Sequence, residues 1–197
     1  IRLGAAPPQM VSMDVDLSPS AKPQPPAQEV PRKNKATYLV LRNDFESLMA
    51  AMMIANASAA QGMETELFFS FWGVNVLRGE GRRQLPGTKL TKPVSFLKRM
   101  MKMMMPAGPE AQQMSKMHMG GVGLGMMKHF MTQQNVLSLR ELMMQAVELD
   151  VTFTVCTMSM GIMGIQKEDL MDLPNIRFGG VTSFTSKARE SATSMVF

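Results

Sequence analysis

A regular alternation of apolar and polar positions begins at Ala36, where ATYLVL forms a short β-rich run. It leads into Asn43, whose side chain can cap a helix, with Glu46 three residues later to complete a capping box. The helix that follows carries Phe45, Leu48, Met49, Met52 and Ala59 as an apolar stripe, and Gly62 supplies a left-handed stop. METELFFSF then reads as a second strand, apolar on both sides near its end. Further on, Ser138 and Glu141 form another capping box, and Leu139, Leu142, Met143, Ala146 and Val147 put one apolar face on the helix SLRELMMQAVELD. That helix feeds VTFTVC, a β-branched run ending at Cys156. After it TMSMGIMGI reads as a helix, KEDLMD as a turn, IRFGGVTSF as a last long strand, and a short helix precedes the terminal SMVF.

Strands separated by helices imply parallel βαβ units with right-handed crossovers and a sheet covered on both faces. The expectation is an α/β, flavodoxin-like layered fold with a mainly parallel sheet of about five strands. Two regions fall outside this pattern. Residues 1–35 hold Pro19, Pro23, Pro25, Pro26 and Pro31 and few large apolar residues after Leu17, the composition of a disordered linker or tail, which leaves 36–197 as the domain. The opening at Ile1, without an initiator Met, points to a fragment or a processed chain. The second region, from Trp72 to Gln134, reads as a basic loop followed by helical Met-rich segments, broken by Pro106, Pro109 and the glycines at 120, 121, 123 and 125.

Composition narrows the function classes. With 197 residues, 45% hydrophobic and 19% charged, the chain holds one globular core. No apolar run reaches the roughly 18 residues that span a bilayer, and no export signal opens the sequence, so a cytoplasmic location is expected. A single cysteine builds no internal disulfide; it serves as a buried apolar residue, a reactive thiol or a metal ligand, and a reducing compartment suits it. The net charge is +5, but the stretch from Arg78 to Lys102 sets eight Lys or Arg against Glu80 alone. Such a stretch is either a solvated face or an attractor of an acidic partner, a small anion or an anionic membrane surface; membrane contact is not predicted. Few aromatics interleave with these charges to stack bases, so no nucleic acid is expected.

Ligands and reactive groups of a parallel sheet collect at the carboxyl ends of strands, above all where the strand order reverses. Cys156 falls at such an end. A helix starting near Thr157 or Ser159 turns backbone N–H groups toward the sulfur and favours thiolate, the nucleophile that accepts sulfane sulfur. Against this stands the ordinary use of cysteine as an inert, buried small hydrophobe. No general base adjoins it, and His118 and His129 lie far away in sequence, so hydrolysis in the Cys-His style has little support. The 24 methionines are the other conspicuous feature. Soft ligands select Cu(I), and Cys156 with Met158, Met160 and His118 could form such a site; the simpler use of Met at helical intervals is adaptable core or oligomer packing, and no metal or other cofactor is predicted. GGVGLG follows no recognisable strand and is followed by no GK[ST], so a phosphate loop is not expected.

Four ordered motifs, FFSFWGVNVLR at 68–78, MMKMMMPAG at 100–108, SKMHMGGVGLGMMKHFM at 115–131 and VCTMSMGIMGI at 155–165, resemble the Met-rich branch of the DsrE/DsrF/DsrH-like family, often labelled peroxiredoxin family protein. The late FGGVTSF fits as well, and the resemblance covers nearly everything from Lys35 to Phe197. It implies homo-oligomeric assembly and a sulfur-relay role, in which one cysteine carries sulfane sulfur as a persulfide between donor and acceptor proteins such as rhodanese-like or TusA-like carriers. The family Cys-x-Met-Ser-Met motif falls on Cys156, Met158, Ser159 and Met160; Thr157, Trp72, His118 and Arg78 are the further candidates for substrate or partner binding. No Pro-x-x-x-Thr-x-x-Cys pattern precedes Cys156, so thiol peroxidase activity is a weaker alternative than a Met-rich Cu(I)-binding or scaffold module. The branch usually has Asn at His118, an acidic residue at Gly161 and Gly at Asp150, which leaves substrate detail near the cysteine open.

Overall fold

The computed structural model describes residues 34–79, 96, 97, 100, 104–116 and 119–197. The chain divides into residues 1–31 and a unit from Arg32 to Phe197, and every described element belongs to the latter. Residues 1–33 of the Pro-rich leader, His118 and the basic residues from Arg82 to Lys102 lie outside the described residues.

The fold is α/β, in the flavodoxin-like layered manner. Strands β1 (Lys35–Val40), β2 (Glu64–Phe69), β3 (Thr152–Cys156), β4 (Ile176–Gly179) and β5 (Thr193–Val196) make one sheet in the order β4-β3-β2-β1-β5, and every pairing is parallel. The helices are α1 (Phe45–Ala60), α2 (Val122–Gln133), α3 (Leu139–Glu148), α4 (Thr157–Met163) and α5 (Val181–Glu190).

Alternation along the strands sorts side chains between two faces. On one, Tyr38, Val40, Leu67, Phe69, Phe153 and Val155 build the main core with α1 and α3; the Phe69 and Phe153 rings stack at 5.9 Å, and the Tyr38 hydroxyl meets that of Ser58 on α1 at 2.6 Å. α3 lies beside α1, where Asn56 Nδ2 donates to Leu142 O at 3.0 Å. On the other face α5 covers the sheet: Phe184 meets Phe68 at 5.3 Å and Lys187 pairs with the buried Glu66.

Local differences from the sequence expectation have physical causes. The cap of α1 is Asp44, not Asn43: its carboxylate accepts the Ser47 N–H at 3.0 Å, while Glu46 is engaged by the Ser115 N–H at 3.1 Å and cannot reach back. Ser138 and Glu141 do form the capping box that starts α3. The last long strand stops at Gly179, and GVTSF enters α5 instead. A Cβ at 179 would lie 2.6 Å from Ser183 Oγ, so the first turn of α5 needs a glycine there. Phe71, expected as the end of the second strand, and Trp72–Leu77, expected as the start of a loop, form together a 3-10 helix that buries Val74, Val76 and Leu77. Gly73 makes it possible, since a Cβ there would come within 2.5 Å of the Val40 carbonyl oxygen.

Candidate functional site

Cys156 is the last residue of β3 and the N-cap of α4. Register pairs it with Gly179, and alternation puts it on the sheet face of Thr154, opposite the main core. β3 is an interior strand between β2 and β4, whereas the strand order reverses at β1. The cysteine is therefore at a strand tip, though not at the reversal.

The residue is 0% exposed, yet its surroundings are polar. β2 ends at Phe69, and Ser70, still extended at φ −133° and ψ 161°, continues its alternation to the same face. Ser159 comes up from the first turn of α4. The two hydroxyls, both buried, lie 3.0 Å apart, and the Phe71 N–H donates to Ser159 Oγ at 3.0 Å. Burial pushes the thiol up, but the neighbouring polar groups of Ser159, Ser70 and the Met158 backbone more than offset it and hold the thiol below its ordinary value.

The other sequence candidates divide. Thr157 is exposed and its hydroxyl donates to Gly179 O at 3.4 Å, tying α4 to β4. Met158 is 51% exposed while Met160 is 7% exposed and packs in the core, so the two thioethers diverge and no Cys-Met-Met ligand set converges. Among the described residues no group of His, Cys, Asp and Glu is placed to hold a metal ion. Trp72 is exposed in the segment that continues from Ser70. Arg78 is only 8% exposed; its guanidinium donates to Asn75 Oδ1 at 3.1 Å, and burial lowers its pKa while Asp169 opposes that shift. It joins the 71–77 helix to the 169–170 segment, through a bridge to Leu170, rather than presenting a surface charge. His118 lies outside the described residues.

Ser70 escaped the sequence reading. The available signal was a small polar residue directly after the apolar run ELFF, at a strand tip neighbouring that of Cys156. An open hollow of about 340 Å³ flanks α4, lined by Thr157, Met160, Gly161, Lys167 and Phe178 among others, with the Lys167 ammonium 4.5 Å from the Phe178 ring centre. Cys156 does not line it.

The model of the DsrE/DsrF/DrsH-like family matches residues 32–196. The chain is 35% identical over 161 residues to "Uncharacterized protein YrkE" of Bacillus subtilis (strain 168), covering 82% of this chain and 95% of that protein. It is 24% identical over 163 residues to "Sulfur carrier protein DsrE2" of Allochromatium vinosum, covering 81% and 95% respectively. Among solved structures it is similar to the YchN protein from E. coli, with a TM-score of 0.45 and 10% identity over 83% of this chain and 99% of that one.

Proposed function

We propose that this chain, which belongs to the DsrE/DsrF/DrsH-like family, is a sulfur-relay protein that holds sulfane sulfur as a persulfide on Cys156. The observation that carries the reading is the placement of a buried cysteine at a strand tip, next to the strand end that carries Ser70 and at the start of the helix that carries Ser159, surroundings that hold the thiol below its ordinary value. The similarity to a protein named as a sulfur carrier supports the same chemistry.

In loading, the Cys156 thiolate attacks the outer sulfur of a donor persulfide, R–S–SH. The donor S–S bond breaks as the Cys156 S–S bond forms, and the donor leaves as thiolate, R–S⁻, with no net oxidation. In delivery, an acceptor thiolate attacks the outer sulfur and Cys156 departs as thiolate. Low thiol pKa speeds departure and moderates nucleophilicity, which suits a carrier that must also release its cargo. The stabilising groups therefore serve both half-reactions.

Cys156 has no exposed surface in the described chain, so exchange requires local opening. The donor and acceptor are proteins of the rhodanese-like or TusA-like kind, met in the cytoplasm by a homo-oligomer. Single-turnover transfer from a small-molecule persulfide to a thiol acceptor tests the proposal. The native chain should accelerate it and Cys156→Ala should not; equal rates with both proteins would refute it.

A further inference from the structure

We propose that the first turn of α5, residues 181–184, is the gate of this site: it frays while the rest of α5 stays bound to the sheet, and its unwinding uncovers Cys156. The inference rests on the sulfur-carrier reading for what enters, not for how the site opens.

Cys156 lies on the sheet face that α5 covers, in register with Gly179 of β4. Gly180 follows as the N-cap of α5, so the helix begins next to the strand tip that holds the cysteine. Its first turn packs there. A Cβ at Gly179 would lie 2.6 Å from Ser183 Oγ, 3.1 Å from Thr154 Cγ2 and 3.7 Å from Phe68 Cε2, and the Phe184 ring meets that of Phe68 at 5.3 Å. Thr154 stands two residues before Cys156 on β3, and Phe68 is the register partner of Thr154 on β2. Ser183 and Phe184 therefore cover the positions that border the cysteine, where Gly179 contributes no side chain.

This turn is weakly held. α1 and α3 each start with a side chain that accepts a backbone N–H, Asp44 and Ser138, whereas Gly180 has none to offer and no acidic residue stands in the first turn of α5. Val181 and Thr182 are both β-branched, which disfavours the helix slightly. The first bond of full α-helical span, from the Phe184 N–H to Gly180 O, is 3.4 Å long. No residue of α5 is buried. Beyond the first turn the anchors are better: Lys187 pairs with the buried Glu66, and the Ser191 hydroxyl meets that of Thr37 at 2.7 Å. A helix so arranged opens from its N-terminal end, and the cysteine borders that end.

Iodoacetamide labelling reads the opening, because the chain has one cysteine and a fully buried thiol reacts in proportion to its open fraction. Labelling is followed at a pH where the thiol is ionised in every variant, so that only access differs. Two variants push the gate in opposite directions. Gly180→Ser/Val181→Pro firms it: Gly180 sits at φ −103° and ψ 172°, a Cβ there meets nothing within 4 Å, and proline suits the first helical position. Labelling should slow about fivefold. Phe184→Ala, which removes the ring contact with Phe68, should speed it about tenfold. In the native chain the rate should rise only weakly with low concentrations of urea, the mark of a small opening rather than of global unfolding. An unchanged rate in the firmed variant overturns the proposal, as does a rate that climbs with urea as steeply as global unfolding. Should Phe184→Ala fail to fold, the firmed variant decides alone. No sulfur donor enters this experiment: a chain that labels as described but accepts no sulfur refutes the carrier reading alone, and one that loads sulfur yet labels independently of α5 refutes the gate alone.

Discussion

Two helices of this chain are built from similar Met-rich sequence and end in opposite environments. α2 reads VGLGMMKHFMTQ, and its Val122, Met126, Met127 and Phe130 are exposed; only Gly123 of the helix is buried. α4 reads TMSMGIM, and its Ser159, Met160 and Met163 are buried, with Met160 and Met163 in the main core. Methionine content therefore does not locate the chemistry. What distinguishes α4 is its entry: a strand ends in a buried cysteine that starts the helix, and the hydroxyl of Ser159 in its first turn meets that of Ser70 from the neighbouring strand end.

The contrast predicts unequal costs. Met160→Ala should lose about 2–4 kcal/mol of stability, because the core closes only partly around the lost side chain, whereas Met126→Ala should stay within about 0.5 kcal/mol. Urea denaturation measures both, and similar losses would erase the distinction between the helices. Next in size, Gly73→Ala should cost about 1–3 kcal/mol by forcing the 71–77 helix away from the Val40 carbonyl. Its Cys156 titration should move as well, because that helix anchors Ser159 through the Phe71 N–H. Ser138→Ala, which removes the cap of α3 far in sequence from the cysteine, should cost about 1 kcal/mol and leave that titration unmoved.

The smallest expected effect is the pH dependence of stability. The folded thiol is held below its ordinary value, so between the folded and unfolded values the unfolded chain binds more protons. Stability from this group thus rises with pH across that window and is lost as pH falls through the folded value. The difference in urea midpoint between the native chain and Cys156→Ala, followed from neutral pH upward, should grow with pH. A flat difference would mean that hydrogen bonding does not favour the anion.

Much of the fold was legible in local patterns. Alternation located β1, β2 and β3, the Ser138–Glu141 box started α3, and the β-branched run put Cys156 at a strand tip. The missing features depend on contacts that no local pattern encodes. Ser70 and Ser159 meet across 89 residues of sequence. The 71–77 helix depends on a close approach between Gly73 and Val40, and at the end of β4 a Cβ on Gly179 would meet Ser183 Oγ. Arg78 reads as one charge of a basic stretch, but its neighbours Asn75 and Asp169 draw it into the packing. His118, the remaining polar candidate, lies outside the described residues.

The most direct measurement is to map where sulfur resides after the full chain has been incubated with a small-molecule persulfide. The protein would be alkylated without reductant, digested and read by mass spectrometry. The account predicts one added sulfur atom on the peptide containing Cys156, none on the methionine-rich peptides of α2, and none anywhere in Cys156→Ala. An unmodified Cys156 in the incubated chain, or equal sulfur on the alanine variant, would contradict it.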